Sequence, residues 1–200
     1  MEAIVLAAGL ATRMGGIKPL TPIEGEPALA RILRRIRAAG IGRPIVVLAA
    51  ESGRSIAGAV DLTACAVVEN DRPEAGMSRS LRLGLDAVPA GAPGVLVFHA
   101  DMPFVRTETI RAVLQAAEAG APIAAPVHGG RRGFPVFFHR AHVPGLREAL
   151  SGDAGGRAYI EAHRAELVTV DTDDPGSVHD IDRPADLAAW EGSHPCATNA

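Results

Sequence analysis

Residues 9–18, GLATRMGGIK, combine three glycines with two cations, Arg13 and Lys18, that lie five positions apart. Glycine lets backbone N–H groups approach an anion closely, and arginine and lysine neutralise its charge. We therefore predict an anion site such as a phosphate loop here, in which Gly15 and Gly16 lie against the ligand. A glycine-rich turn with solvated cations is the alternative reading of the same residues.

Two well-known phosphate loops do not fit this segment. A dinucleotide-binding loop needs Gly-x-Gly-x-x-Gly with an acid about 20 residues later, whereas these glycines stand at 9, 15 and 16. A Walker loop needs a second glycine directly before its lysine. Here Met14 and Ile17 break that pattern. A phosphate site in this segment would therefore need a loop of another type.

A carboxylate could complete such a site. Asp101 follows the apolar run 94–98, and a carboxylate at the end of a strand suits a hard cation such as Mg²⁺; an aspartate that begins a turn is the alternative. Asp182 precedes Arg183 and Pro184, a position that suits the N-cap of a final helix.

The composition excludes several classes of protein. The chain has 200 residues, of which 48% are hydrophobic, and a net charge of −3, which argues against a general nucleic-acid binder or a binder of anionic membranes. No apolar run approaches the ~20 residues of a membrane span. Cys65, in an apolar run, and Cys196, in a polar tail, indicate no disulfide framework. We expect a cytoplasmic protein with a buried Cys65.

The elements that must position these residues alternate along the chain. Nearly continuous apolar runs, typical of strands covered on both faces, lie at 3–8, 44–50, 64–68 and 94–98. Between them, apolar residues with helical spacing predict helices, among them a stripe of Met77, Leu81, Leu85 and Val88 that we expect to face the core. Further strands are predicted at 123–127, 134–138 and 167–170, and helices at 143–150, 157–163 and 184–191.

This alternation predicts one α/β domain, a Rossmann-like three-layer α/β/α arrangement with a mostly parallel sheet and right-handed crossovers. We place the domain at residues 1–191 and a flexible tail at 192–200.

Beyond these patterns, the chain resembles the MobA-like nucleotidyltransferases, and in particular it is similar to the molybdenum cofactor cytidylyltransferases. The resemblance covers the chain to about Trp190. It rests on six motifs in family order: LAAGLATRMGGIK at 6–18, Asn70 with GMSRSL at 76–81, HADMPFV at 99–105, GFPVFF at 133–138, GDAGGRAYI at 152–160 and DIDRPADL at 180–187.

The resemblance implies a reaction. A phosphate oxygen of an acceptor attacks the α-phosphorus of a nucleoside triphosphate, and pyrophosphate leaves, so the site must supply positive charge and alignment. Arg13, Lys18 and Asp101 are implied as the catalytic residues, with Gly15 and Gly16 wrapping the triphosphate. Asp101 and Asp182 are implied as ligands of Mg²⁺, the expected cofactor, and Asp180 could share either role of Asp182, as a ligand or as the helix cap.

Further residues are implied for the nucleotide. Residues 6–9, namely Leu6, Ala7, Ala8 and Gly9, would hold the base; related guanylyltransferases carry LAGG there, so LAAG favours CTP. Ala11 stands where the family commonly has serine, with Thr12 beside it. Asn70, Ser78 and Ser80, around the start of a predicted helix, would contact the ribose or phosphates, although first-turn capping would explain the two serines equally well.

The acceptor is less defined. The resemblance implies a small phosphorylated acceptor such as the molybdenum cofactor, and a molybdoenzyme or its maturation factor as a partner. Phe134 stands where cytidylyltransferases of this group often carry histidine, so it either stacks on a flat ring or packs in the core. The alternatives are a guanylyltransferase, an enzyme acting on a sugar phosphate or another small phosphate, and a non-catalytic nucleotide-binding accessory protein.

The histidines give no metal signature. His139 and His142 form His-x-x-His, and His128 lies near in sequence, but without an established third ligand or a His-Glu-x-x-His helix this pattern does not predict a zinc site. His163 carries no local signal. His99, just before Asp101, reads as a polar residue at the edge of a strand.

Overall fold

The computed structural model of this chain describes residues 1–9 and 16–193. Its strands are β1 Glu2–Ala7, β2 Pro22–Ile23, β3 Glu26–Pro27, β4 Ile45–Ala49, β5 Ala66–Asn70, β6 Gly94–His99, β7 Ile123–His128, β8 Arg131–Arg132, β9 Val136–His139 and β10 Leu167–Asp171. Its α-helices are α1 Ala28–Ala38, α2 Ala50–Ala59, α3 Met77–Asp86, α4 Thr107–Glu118, α5 Val143–Ala149, α6 Arg157–Ala162 and α7 Pro184–Ser193. Within the described ranges, no helix combines the length and hydrophobicity needed to cross a bilayer.

The main sheet has the strand order β10-β7-β9-β6-β1-β4-β5, and β8 pairs with β7. β1 lies at its centre, parallel to both β6 and β4. β9 is inserted antiparallel between β6 and β7, so the sheet is mixed but mostly parallel. The carboxyl ends of β1, β4 and β6 therefore meet at one edge, where open α/β sheets bind their ligands.

Helices cover both faces of the sheet because the residues of β1 alternate between two cores. Val5 and its neighbours in register pack against α1 and α4, whereas Ile4 packs against α3 on the opposite face. Gly84 of α3 allows this contact, since a Cβ there would lie 2.6 Å from Ile4 Cγ2. The predicted three-layer α/β/α architecture is confirmed.

A third, smaller cluster holds α7 beside the carboxyl edge of the sheet. Ile23, Phe104 and Ile181 are buried together, and Leu187 and Trp190 of α7 pack against them. The Phe104 and Trp190 rings stack with centroids 4.0 Å apart. The segment before α7 is thereby fixed next to the loop that follows β6.

The structure corrects or extends three expectations. Helix α2 was not predicted, because Gly53 and Ile56 are its only buried residues and it has no apolar stripe. The prediction that Met77 faces the core is wrong: it is 38% exposed. Helix α7 continues to Ser193, and the rest of the expected tail, 194–200, lies outside the described residues. Cys65 is buried, as predicted.

Candidate active site

Three charged side chains predicted from separate parts of the sequence meet at the carboxyl edge of the sheet. The Lys18 ammonium donates to Asp101 Oδ2 at 2.9 Å and also to Asp182 Oδ1. Lys18 is 83 residues from Asp101 and 164 from Asp182 along the chain. One cation is thus held between two carboxylates at the point where β1 and β6 end.

Backbone contacts set the separation of the two acids. The Ile181 N–H donates to the Asp101 carbonyl at 2.8 Å, and the Ile181 side chain is buried in the third cluster. Asp182 follows directly, and its N–H donates to the Asp186 carboxylate at 2.8 Å, as does that of Arg183 at 2.7 Å. The first turn of α7 is therefore capped by Asp186, and the Asp182 carboxylate faces Lys18.

The loop after Asp101 is held from below by Arg35 of α1. Its guanidinium donates to the carbonyls of Pro103 at 2.8 Å and Val105 at 2.6 Å. Burial, with the nearby charges of Arg31 and Arg34, lowers the pKa of Arg35 to about 10, so the side chain is still charged at neutral pH. Arg35 fixes the backbone that presents Asp101.

The electrostatics favour a cation between the carboxylates. Partial burial by itself lowers the pKa of Lys18, but attraction to and hydrogen bonds with Asp101 and Asp182 outweigh it, and the net pKa is raised above 10.5. Because the folded-state pKa is raised, the stabilisation is complete below the unfolded value and is lost only as the pH rises through the folded value. The ion pair is intact throughout the neutral range.

A cleft of about 290 Å³ opens beside this cluster. The end of β1 forms one wall and the start of α3 the other, and the lining side chains are mostly small, polar or acidic: Leu6, Ala8, Gly9, Pro73, Glu74, Gly76, Met77, Ser80, His99, Asp101 and Asp153. A smaller recess of about 70 Å³, lined by Leu6, Ala7, Gly9, Lys18, Pro19, Ala100 and Asp101, adjoins it. The lysine thus lies at one end of a cleft whose described walls are otherwise neutral or acidic.

His99 lines the cleft, and Phe134 packs against it. Their rings pack with centroids 4.2 Å apart. Burial lowers the pKa of His99, and Lys18 lowers it further, whereas Asp101 and Asp180 act in the opposite direction. The imidazole is therefore neutral at pH 7. Phe134 is partly buried against the α3-side core, and its ring contacts the imidazole that lines the cleft.

The loop at 151–156 covers the start of α3. The Met77 N–H donates to Asp153 Oδ1 at 3.1 Å, and the Ser78 N–H to the Gly152 carbonyl at 3.0 Å. Gly76 has φ +92°, and a Cβ there would lie 2.5 Å from Asp153 Oδ1. Glycine is required because the loop approaches so closely, and the loop satisfies the N–H groups that a helix start otherwise offers to an anion.

The three polar residues predicted to contact the nucleotide are all buried. Asn70 Nδ2 donates to Ser80 Oγ at 2.9 Å, and Asn70 Oδ1 accepts from the Arg79 guanidinium at 2.9 Å. Ser78 Oγ donates to the Ser151 carbonyl at 2.9 Å. Ser80 also lines the cleft, whereas Asn70 stands behind it and Ser78 faces the covering loop.

Of the remaining predicted residues, some lie at the cleft and some cannot be placed. Leu6, Ala7, Ala8 and Gly9 all line one of the two recesses. Gly16 is exposed and lines a separate groove with Pro184 and Leu187. Arg13 and Gly15, together with Ala11 and Thr12, lie outside the described residues.

Sequence reasoning did not find Arg35 and Asp153. No motif or spacing predicts a role for either residue, because both act through contacts between residues 68–76 positions apart. One further feature of the sequence points to Lys18. Lys18 is the only lysine in a chain rich in arginine, and a lone lysine within a glycine loop points to a specific task.

The match to a known family follows this geometry. The family model described as "MobA-like NTP transferase domain" matches residues 3–167, which carry β1, the cleft, Lys18 and Asp101. The chain belongs to the MobA-like NTP transferase domain family. The family resemblance predicted from the motifs is thereby confirmed.

Two relatives that this MobA-like chain matches have names that describe different activities. It is 35% identical over 131 residues to the 2-C-methyl-D-erythritol 4-phosphate cytidylyltransferase of Streptomyces avermitilis, a match that covers 62% of this chain and 52% of the relative. It is 25% identical over 190 residues to the nicotine blue oxidoreductase of Paenarthrobacter nicotinovorans, covering 91% of this chain and 92% of the relative. The MobA-like chain spans about half the length of the first relative, and about a third or less of the bifunctional GlmU proteins that it also matches.

Among solved structures, the MobA-like chain is similar to Rv0371c of Mycobacterium tuberculosis in complex with manganese. The TM-score is 0.78 at 27% identity, covering 96% of this chain and 98% of the other. Manganese prefers oxygen ligands, as does magnesium, which is the donor type that Asp101 and Asp182 supply.

Proposed function

We propose that this protein is a Mg²⁺-dependent nucleotidyltransferase that moves a nucleoside monophosphate, CMP from CTP, onto a small phosphorylated acceptor and releases pyrophosphate. The observation that carries the proposal is the Lys18 ammonium held between Asp101 and Asp182 at the edge of the cleft. Phosphoryl and nucleotidyl transfer need charge neutralisation and alignment rather than covalent catalysis. This cluster offers both at one point.

The pair of acids fits a divalent cation. Two carboxylates with hard oxygen donors already bracket one positive charge, so a cation is favoured between them. We propose Asp101 and Asp182 as the ligands, and the ion would stabilise the negative charge that develops on the phosphate oxygens. Lys18 is then released from the two acids and donates to the α-phosphate, while Arg13 of the glycine loop neutralises the β- and γ-phosphates.

The charge of the cleft supports an orientation for the nucleotide. Glu74 and Asp153 line the α3 side, so the neutral base and ribose lie there, where carboxylates accept hydrogen bonds from amino and hydroxyl groups. The polyphosphate lies at the Lys18 end. Residues 6–9, with Ala8 on the cleft wall, limit the room for the base and favour cytosine over guanine. Ser80 is placed to meet the ribose.

The acceptor lies on the side of His99 and Phe134. The His99 imidazole lines the cleft and Phe134 packs against it at a tilt of 53°, an aromatic pair that suits a ring-containing acceptor such as a phosphorylated pterin, and we propose the molybdenum cofactor. A terminal phosphate is already ionised at pH 7, so the attack needs no strong general base. A guanylyltransferase or a sugar-phosphate enzyme of the same fold would use the same cluster with other walls.

A second candidate is an oxidoreductase, which is favoured by the name of the relative that this chain matches over 91% of its length. The glycine loop lacks the spacing of a dinucleotide-binding loop, and the paired acids have no evident task in hydride transfer. A non-catalytic nucleotide-binding accessory protein would likewise need neither acid. Both alternatives predict no pyrophosphate.

The test measures pyrophosphate release from CTP, GTP, UTP and ATP with Mg²⁺ and a panel of phosphorylated pterin and sugar acceptors. We expect release with CTP and a pterin, and its loss in Asp101→Asn but not in Asp173→Asn, an exposed control. A CTP-only gain in thermal stability, about 2.7 kcal/mol at a hundred times the dissociation constant, would support the base assignment. No release with any pair, or full activity in Asp101→Asn, would refute the proposal.

A further inference from the structure

A second group of metal-binding side chains lies outside the cleft. His142 precedes α5, His163 follows α6, and Glu166 ends the short 3₁₀ turn after it. One donor atom from each residue lies within 4.8 Å of the other two. Nε2 of His142 is 3.4 Å from the Glu166 carboxylate. None of the three residues lines the cleft.

Tyr159 orients both imidazoles. Nδ1 of His163 lies 2.9 Å from the Tyr159 carbonyl, which can only accept, so this nitrogen carries the proton and Nε2 carries the lone pair. Nδ1 of His142 lies 3.0 Å from the Tyr159 hydroxyl. Metal-binding histidines typically use their second nitrogen in this way, to bond a carbonyl or another oxygen that fixes the ring.

Tyr159 is itself fixed by its surroundings. Its ring stacks on His163 with centroids 4.0 Å apart, and Gly145 leaves space for its hydroxyl, since a Cβ there would lie 3.0 Å from that oxygen. The phenol is a rigid partner for the two rings.

We propose that His142, His163 and Glu166 form a zinc site. Two neutral imidazoles and one carboxylate are a borderline donor set that suits Zn²⁺, with water as the fourth ligand, and they suit Mg²⁺ poorly. Glu166 is exposed and His142 is buried, so the ion enters from the solvent side. Catalysis at the cleft uses different residues and a different kind of cation.

The site would fasten one wall of the cleft. Its ligands enclose residues 143–162, which carry α5, α6 and the loop 151–156 that caps α3 beside the cleft. A metal bridge across such a segment removes conformations in which the loop departs, as closing a loop does in general. Zinc occupancy therefore slows the opening of this loop.

Zinc affinity of the full chain tests the site. The titration uses a competing chromophoric chelator and excess Mg²⁺, which fills the carboxylate pair with the harder ion. We expect one zinc equivalent in the wild type. Zinc affinity should fall at least tenfold in His163→Gln and in Glu166→Gln. The Glu166 side chain is exposed, so misfolding would not explain a loss of zinc affinity in Glu166→Gln. Tyr159→Phe, which leaves all three ligands, should weaken binding about tenfold, the lower bound for loss of a partner that orients a ligand.

Three controls should bind zinc like the wild type. His139→Gln removes the other histidine of His-x-x-His, which lies outside the cluster. His194→Gln with Cys196→Ser removes two potential ligands outside the described residues, and Asp101→Asn removes the carboxylate of the cleft. Zinc binding that is absent in the wild type, retained in His163→Gln and Glu166→Gln, or lost in a control would overturn the site.

Amide hydrogen exchange tests the fastening. Zinc should slow exchange at residues 151–157 in the wild type and have no effect in His163→Gln. Equal exchange with and without zinc in the wild type would refute the link between the metal and the loop.

Discussion

Replacing Lys18 with methionine, whose unbranched side chain is one atom shorter, removes the charge that separates Asp101 from Asp182. The distance of 2.9 Å to Asp101 corresponds to about 6 kcal/mol of attraction at an effective dielectric constant of about 20. Most of this is offset by desolvation, and the Asp182 side chain is 47% exposed, so solvent screens its share. Exposed pairs contribute about 0–1 kcal/mol and broken buried pairs cost about 3–5 kcal/mol.

We therefore expect Lys18→Met to lower the free energy of unfolding by about 2 kcal/mol, between the exposed and buried limits. For a domain of 200 residues this corresponds to a Tm lower by about 4–8 °C. Under the proposal that Asp101 and Asp182 hold Mg²⁺, the same energy opposes the ion in the wild type, because it would have to displace the ammonium. The variant should bind Mg²⁺ about thirtyfold more tightly, the equivalent of about 2 kcal/mol.

Thermal unfolding at pH 7.5 over a series of Mg²⁺ concentrations measures both effects. Without Mg²⁺ the variant should melt below the wild type, and with saturating Mg²⁺ the difference should close. Arg34→Met, which removes an exposed pair with Glu26, should change Tm slightly and leave the Mg²⁺ response as it was. The reasoning fails if Mg²⁺ shifts wild type and Lys18→Met equally, since the ion would then not compete with the ammonium.

Three further predictions concern stability and reactivity. Gly76→Ala should lower the free energy of unfolding by about 3 kcal/mol or more, because it strains the backbone and adds a Cβ that displaces Asp153. Urea unfolding should show a clearly smaller loss for Gly120→Ala, where φ is +94° but the space is open. Equal losses would mean that the contact with the loop contributes nothing. Asp174→Ala leaves the Arg106 N–H, the Thr109 hydroxyl and the Gly176 N–H without their acceptor. It should lower the free energy of unfolding by about 3 kcal/mol or more. In the same urea experiment, replacing the exposed Asp173 with alanine should leave the free energy of unfolding nearly unchanged. Burial raises the pKa of the Cys65 thiol, and Arg37 opposes this shift, so at pH 8 its thiolate fraction is below that of a free thiol. Iodoacetamide should therefore label Cys65 more slowly than it labels glutathione. Equal labelling rates for the two thiols would contradict this prediction.

The sheet and most helices could be predicted because their patterns are local. The run at 94–98 predicts β6, and the rule that ligands bind at the carboxyl edge places Asp101 near the end of β1. The meeting of Asp182 with Lys18 could not be derived in this way. It depends on the bond from the Ile181 N–H to the Asp101 carbonyl and on the cluster around Phe104, neither of which leaves a periodic trace.

Polar residue types were predictable, but their partners were not. Asn70, Ser78 and Ser80 have the same identity whether they face a ligand or the protein, and two of them are directed at backbone or side chains around the α3 start. The group of His142, His163 and Glu166 was invisible for a related reason. Its members come together only when α5 and α6 pack, and the His-x-x-His pattern, from which we predicted no zinc site, contains only one of them, His142.

Because Lys18 is the chain's single lysine, this protein carries just one ε-amino group. Reagents that acylate amines therefore meet one side-chain target in these 200 residues, an ammonium that the two aspartates keep protonated. Isotope tagging through amines therefore modifies no other side chain of this sequence. A ligand or substitution that weakens the contact of the two aspartates with Lys18 should increase the rate at which its amine reacts.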